Sequence, residues 1–269
     1  MVTAYLRNNR FKHLHIIGAP RSGTTLLLEL LRTCYDWDWV PEIETRVVDA
    51  PLRRTGLCLT KNPGRGNHVK TILQNRNMWL LYCQRDPRDI ICRRHGLAPD
   101  KYWANLAQWR SARRELNRIR NHPHLIIINY EQLVTRPDEI QNQINHQIDW
   151  LVQTALFSEF QKTASPSSQS LKAMRGLRPI DEAGIGRWCN NLPRVVGQIE
   201  LHGDITDELI RDGYETDATW LQILDGVTPD LSAGYWPDKT GLSVKLRSRA
   251  FIYRDVLKLF IKQVYQKML

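Results

Sequence analysis

No stretch of this 269-residue chain approaches the roughly 18 to 20 consecutive apolar residues that a membrane-spanning helix requires. Cysteine is sparse and unpaired in pattern. Cys34, Cys58, Cys83, Cys92 and Cys189 make an odd set with no CxxC pair, which argues against a disulfide framework or a zinc site. Most of them sit in apolar stretches, where a buried, inert thiol is expected. Internal repeats, low-complexity segments and linker-like stretches are missing. So are any aspartate/histidine cluster that would suggest a metal and the aromatic–basic motifs of RRM or KH domains. The apolar run Leu14, Ile16 and Ile17, behind a polar and basic N-terminus, is too short for the core of a signal peptide, so the expected location is the cytoplasm.

Acidic residues are in the minority, 28 against 38 lysines and arginines, for a formal net charge of +10. Such a balance favours an anionic partner: nucleic acid, an acidic membrane surface or a phosphorylated small molecule. With 42% hydrophobic and 25% charged residues, the chain has the composition of a globular protein able to bury a core without disulfides or metals.

Short apolar runs alternate with longer helical patterns, the arrangement of βαβ units around a mostly parallel sheet. The expected fold is therefore α/β, one domain over residues 1–269 with helices flanking a central sheet. Strands are expected at His13–Ile17, Leu57–Thr60, Met78–Gln84 and Leu125–Asn129, the last an unbroken β-branched run. A nearly all-apolar helix is expected over Thr24–Cys34, a basic-faced one within Asp100–Arg120, and another beginning at Pro137. Thr163–Gln169 has the composition of a surface connection, with a lid as the alternative. The C-terminal stretch Ser243–Leu269 carries seven basic residues against one acid and an apolar stripe at Tyr253, Leu257, Phe260, Val264 and Met268. A helix docked on its own domain is expected, and weak peripheral contact with an anionic membrane is the alternative.

The sharpest feature is Gly18-Ala19-Pro20-Arg21-Ser22-Gly23-Thr24-Thr25, at an expected strand-to-helix junction. Two glycines bracketing four residues allow a tight turn that aims successive N–H groups at an anion. The helix N-terminus adds free donors and a positive dipole end. A nucleoside triphosphatase needs lysine after the second glycine to reach the β- and γ-phosphates. Thr24 stands there instead, and the cation has moved into the loop as Arg21. That suits holding a phosphate that bears a different group.

The segment Pro20–Thr25 resembles the 5′-phosphosulfate loop of the sulfotransferases, whose usual form is Pro-[Arg/Lys]-Ser-Gly-Thr-Thr. Gln84–His95, QRDPRDIICRRH, is similar to the Arg-Asp-Pro-Arg-Asp stretch that binds the 3′-phosphate of the nucleotide in that family. The resemblance assigns that phosphate to Arg85 and to the position eight residues on, which is Arg93 here where the family has serine. Whether Arg93 or Arg94 faces inward is left open. The stretch can equally serve as a strand-to-helix turn capped by Asp86 and stiffened by Pro87. Tyr130-Glu131-Gln132-Leu133-Val134 with Pro137, the segment Arg175–Trp188 and Gly213-Tyr214 resemble further parts of the family, the second ending at a tryptophan (Trp188) beside the nucleotide. The resemblance spans about residues 12–215 and leaves 216–269 as a C-terminal extension.

What the resemblance implies is a P-loop-like sulfotransferase fold and transfer of a sulfuryl group from 3′-phosphoadenosine 5′-phosphosulfate (PAPS). The acceptor is a hydroxyl or amine, the product nucleotide is adenosine 3′,5′-bisphosphate (PAP), and no metal is required. In-line displacement needs a base for the acceptor and cations for the transferred group. Arg21 is one cation. Lys61, in Lys61-Asn62-Pro63, resembles the Lys-x-Pro lysine of several sulfotransferase branches. Glu44 resembles the base in the Glu-Thr-Arg stretch of protein-tyrosine sulfotransferases, with Glu42 a near competitor. Ser22, Gly23, Thr24 and Thr25 complete the expected cofactor-binding set. The acceptor class includes small molecules, sugars and tyrosine-type hydroxyls, and no specific nucleic acid is expected. The alternatives are a P-loop nucleotide kinase or NTPase using Mg-ATP, and a non-catalytic module that binds polyanions through its charge.

Overall fold

Four short apolar-rich runs pair side by side and in parallel. They form β1 (Lys12–Gly18), β2 (Leu57–Lys61), β3 (Met78–Gln84) and β4 (Leu125–Asn129) in the order β2-β1-β3-β4. The computed structural model describes residues 11–42, 44–51, 53–63, 69–95, 98, 100–174, 176–236 and 242–268, and not the side chains of 242–249, 263 and 266–268. The basic N-terminus (residues 1–10), Arg175 and the side chain of Met268 lie outside that description.

Both faces of the sheet are covered, which is why its strands read as continuous apolar runs rather than as alternating ones. Leu14, Ile16, Leu81, Cys83, Ile126 and Ile128 point to one face, where they meet α1 (Thr24–Cys34) and α6 (Pro137–Gln147). Ile17, Leu80, Tyr82 and Leu125 point to the other, against α2 (Val69–Leu73) and α4 (Leu106–Asn117). The α/β architecture with a parallel sheet flanked by helices is the one expected, and all the strand pairings are parallel. β1 runs one residue further than expected at each end and β2 one further at its C-terminal end, so Gly18 and Lys61 close their strands.

The helix expected within Asp100–Arg120 is shorter. It starts at Leu106 because Asn105 caps it, accepting from the Gln108 N–H at 2.9 Å. Tyr102, just upstream, is held in bridges to Arg94 and Gly234. Its basic face is divided: Arg114 is exposed, while Arg110 and Arg113 are paired. Arg113 pairs with Asp212 and Arg110 with Glu208 at 3.1 Å, tying α4 to α10 (Thr206–Asp212), and Arg120, past the end of α4, lies 3.6 Å from Asp212. Of the expected connection Thr163–Gln169, only 164–167 is irregular, between α7 (Phe160–Thr163) and α8 (Ser168–Met174). Among the described residues no helix is long and apolar enough to cross a membrane.

The C-terminal helix α11 (Leu242–Met268) does dock on the domain, but not by the expected stripe. Leu259 and Asp255 are buried, the first in the core and the second accepting two hydrogen bonds from Arg46 at 2.9 and 3.2 Å. Lys262 donates to the carbonyl of Ala50. Tyr253, Leu257, Phe260 and Val264 face outward. The domain offers this helix an arginine and a carbonyl beside an apolar slot, and only the Asp255–Leu259–Lys262 face matches that mixture.

Two histidines of β1 point to the α2 face without reaching solvent. His13 Nε2 and His15 Nδ1 both lie 2.6 Å from Thr60 Oγ1. One hydroxyl carries one proton, so it donates to one ring and accepts from the other. Burial pushes both pKa values down, that of His15 to about 3.

Two predictions follow from this packing. A histidine that binds its proton more weakly when folded contributes stability above its unfolded pKa, and that contribution is lost as pH falls from 6.5 through about 3. Denaturant titrations should show His15→Leu flattening the pH dependence in that window by about 1 kcal/mol per pH unit; parallel profiles for the two proteins would contradict it. Removing the Asp255 carboxylate by Asp255→Ala should weaken the docking of α11 by about 2 kcal/mol. Hydrogen exchange would then speed up in α11 ahead of the strands, and unchanged protection there would count against the anchor.

Candidate functional site

In a parallel sheet every strand delivers its following loop to the same edge. Here that edge presents Gly18, Lys61, Gln84 and Asn129 together. The chain leaves β1 for β2 on one side and later returns to place β3 on the other. The β1 and β3 loops therefore diverge at a topological switch point, where open α/β sheets hold their ligands. The glycine loop follows β1 and the Arg85 segment follows β3. Between them and the neighbouring elements lies a cleft of about 790 Å³.

The loop is shaped by close approach. Gly18 has φ 153° and runs against β3, so that a Cβ would come within 2.7 Å of the Cys83 carbonyl and of Ser22 Oγ. Gly23 has φ 99° and backs onto Tyr130, whose ring occupies the place of a side chain. Arg21 adopts φ 73°, an arginine in the left-handed region, with its guanidinium 5.9 Å from the centre of the Trp103 ring. Such a conformation costs of order 1–3 kcal/mol and is kept where the surroundings dictate it. Ser22 and Thr24 are buried, Ser22 Oγ without a hydrogen-bond partner among the described residues. α1 starts at Thr24 with no side-chain cap, which leaves its first-turn N–H groups facing the loop.

Arg85 enters from the end of β3. It donates to the Arg21 carbonyl at 3.0 Å and to the Gly184 carbonyl, and lies 4.0 Å from the centre of the Tyr130 ring. Its charge is only loosely countered by Asp89, at 3.7 Å, and its Nε is buried without a hydrogen-bond partner among the described residues. Arg93 lines the same cleft, and its Nε is likewise buried and unpartnered among them. Burial first, and then repulsion from Arg85, Arg187 and Arg21, lowers its pKa to about 10. Arg94 turns away, stacking on Tyr102 and hydrogen-bonding its hydroxyl at 2.9 Å. The inward arginine is therefore Arg93.

The rest of the Arg-Asp-Pro-Arg-Asp turn is structural. Asp86 caps α3 (Pro87–Ile91) by accepting from the Arg88 N–H at 2.8 Å. Arg88 lies 4.0 Å from the ring centre of Trp188 and 4.9 Å from that of Trp220, and it pairs with Asp86 and Glu215. Asp89 accepts from the N–H groups of Gly186 and Trp188, both at 3.0 Å, and so pins the segment that carries Arg187. Trp188 itself is packed in this cluster and is not among the residues lining the cleft.

At the end of β2, Lys61 Nζ donates to Thr25 Oγ1 at 2.8 Å and pairs with Glu44 Oε1 at 2.9 Å. The lysine is 5% exposed and the carboxylate 42%, so Glu44 projects toward solvent from a buried cation. Glu44 lines the cleft, as do Arg21, Gly23, Thr24 and Thr25; Glu42 does not. Two residues on, Arg46 reaches from the rim to Asp49 at 2.5 Å and to Asp255 of α11, and Phe251 of the same helix also lines the cleft.

Sequence reading missed several of these contributors. Tyr130, which in the sequence only opens the stretch Tyr130–Val134, backs both the glycine loop and Arg85. Arg46 is the arginine of the Glu-Thr-Arg stretch and Arg187 falls within the segment Arg175–Trp188, but neither stretch assigns them a role, and Phe251 belongs to no motif. Among the described residues no group of three or more histidine, cysteine, aspartate and glutamate side chains is arranged to hold a metal ion.

The fold and the cleft define an α/β protein with a cationic pocket at the carboxyl edge of a parallel sheet. No family model matches the chain, and no curated protein does. Among solved structures, a sulfotransferase domain from the curacin biosynthetic pathway is similar at 13% identity, over 66% of this chain and 91% of that one, with a TM-score of 0.42. That likeness is too distant to transfer roles to residues.

Gly23→Ala should cost about 1–3 kcal/mol, because it strains a positive φ and pushes a methyl into the Tyr130 ring. An unfolding midpoint equal to that of the parent would show that the loop does not rest on Tyr130.

Proposed function

We propose that the protein is a sulfotransferase that takes PAPS as donor and transfers to an acceptor hydroxyl or amine. The observation that carries this reading is the state of Arg93. Its guanidinium is partly buried, sits in the field of three other arginines, and has an Nε unpartnered among the described residues. Like charges gathered in a cleft at a glycine loop are stabilised by a multiply charged anion. One phosphate at the loop would not account for Arg85 and Arg93 as well, whereas a nucleotide with phosphates at both ends would.

The residues present fit such a nucleotide. The loop N–H groups from Arg21 to Thr25, with Ser22 Oγ, would hold the phosphosulfate end, and Arg85 and Arg93 the 3′-phosphate. Tyr130 and Gly184 set the position of Arg85. When bound, PAPS supplies an activated sulfuryl group for in-line transfer. Glu44 accepts the proton of the acceptor, from a position where Lys61 orients it. Lys61 and Arg21 neutralise charge that develops around the transferred group. Position 24, after the second glycine, holds no cation for a γ-phosphate, which favours this reading over a Mg-ATP-dependent kinase.

Calorimetric titration with adenosine 3′,5′-bisphosphate, alongside Mg-ATP and 5′-AMP, tests the donor site on the parent and on Arg85→Ala. The expected outcome is micromolar binding of the bisphosphate, much weaker AMP binding, and loss in the variant. Preference for Mg-ATP would replace the reading with a kinase, and binding of none of them would leave the loop as scaffold. With an acceptor in hand, Glu44→Gln should lower turnover by about a hundred- to ten-thousand-fold while leaving bisphosphate affinity in place. Transfer at the parental rate would remove Glu44 from the role.

A further inference from the structure

The outward face of α11 is an apolar surface with nothing of the described chain against it. Tyr253, Leu257, Phe260, Ile261 and Val264 recur at the spacing of one helical face, with Tyr265 beside them. Leu257 and Phe260 are 59% and 60% exposed, and Tyr253 74%. The face lies opposite the one that docks, where Asp255 and Leu259 are 1% and 5% exposed. A run of large side chains left in water on a helix already anchored by its other side marks a place of contact.

Charge indicates what the contact is. Arg254 and Lys258 are exposed along one border of the apolar face. The one acid in Ser243–Leu269, set against seven basic residues, is Asp255, and it is turned inward onto Arg46. The outward charge of the described part of the helix is therefore entirely positive, on a chain whose net charge is +10. A second copy of the chain would bring two cationic faces together, and a nucleic acid backbone offers nothing to six large apolar side chains. A surface that is anionic above and hydrocarbon beneath satisfies both features.

We propose that the outward face of α11 seats on an anionic phospholipid bilayer. The helix lies in the plane of the interface, with Leu257, Phe260 and Val264 below the headgroups and Arg254 and Lys258 among them. Its length of 27 residues corresponds to about 40 Å along that plane. Leu259, Asp255 and Lys262 hold the protein to the other side of the same helix. The inference is independent of the reaction proposed above.

Co-sedimentation of the full chain with phosphatidylcholine vesicles, with and without phosphatidylglycerol, tests it. The parent should pellet with the anionic vesicles, remain in solution with the neutral ones, and be released by salt. Leu257→Ser combined with Phe260→Ser should weaken binding by about tenfold or more. Arg254→Ser with Lys258→Ser should weaken it by roughly tenfold and blunt its salt dependence. Circular dichroism and thermal unfolding check that each variant is folded, and the charge pair, exposed on both counts, stands in if the apolar pair is not. A parent that stays in solution with anionic vesicles overturns the proposal, as does a folded apolar variant that binds equally. So does a concentration-dependent dimer in ultracentrifugation that the apolar variant abolishes, since a second copy would then cover the face.

Discussion

Like charges brought to one edge of a sheet repel, and the arrangement around this cleft is organised to hold them there. Arg85 is fixed by two backbone carbonyls and an aromatic ring rather than by a matched carboxylate. Asp89, the nearest acid, is 3.7 Å away and is committed to the N–H groups of Gly186 and Trp188. Carbonyls and π-faces orient a guanidinium without cancelling its charge. Burial, and after it the field of Arg85, Arg187 and Arg21, lowers the pKa of Arg93.

The same economy of partners extends outward. Arg88, one residue type and three positions from Arg85, is fully matched by Asp86 and Glu215 and stacked against two tryptophans. Arg113 and Arg110 are matched by acids of α10. Arg88, Arg110 and Arg113 in the scaffold are matched by close carboxylates, whereas Arg85 at the cleft is held chiefly by carbonyls and a ring. Arg46 stands between the two groups. It lines the cleft near Glu44 while binding Asp49 and Asp255, and so connects the candidate base segment to the C-terminal helix.

Much of this was legible in the order of residues. Leu125–Asn129 and Met78–Gln84 read as strands because a sheet covered on both faces demands apolar residues at every position. The glycine loop was legible because only glycine tolerates φ 99° against a tyrosine ring and φ 153° against a neighbouring strand. What failed to read was partnership. Arg110 and Arg113 of α4 are matched by acids about a hundred residues away, and Trp188, placed beside a nucleotide by resemblance, packs on Arg88. The helix α11 turned its regular apolar stripe outward because the surface it meets is mixed, offering Arg46 and the Ala50 carbonyl next to an apolar slot.

By itself the sequence determined the parallel α/β layering, the glycine loop at a strand-to-helix junction and the excess of positive charge, since hydrophobic periodicity, glycine spacing and composition are local or additive quantities. Only the tertiary structure decided that Lys61 meets both Thr25 and Glu44, that Arg93 faces inward while Arg94 does not, and which side of α11 is buried. Those outcomes depend on strand order and on side chains far apart along the chain. Hydrogen bonds and charge pairs act over a few ångströms of space, whatever the distance in sequence.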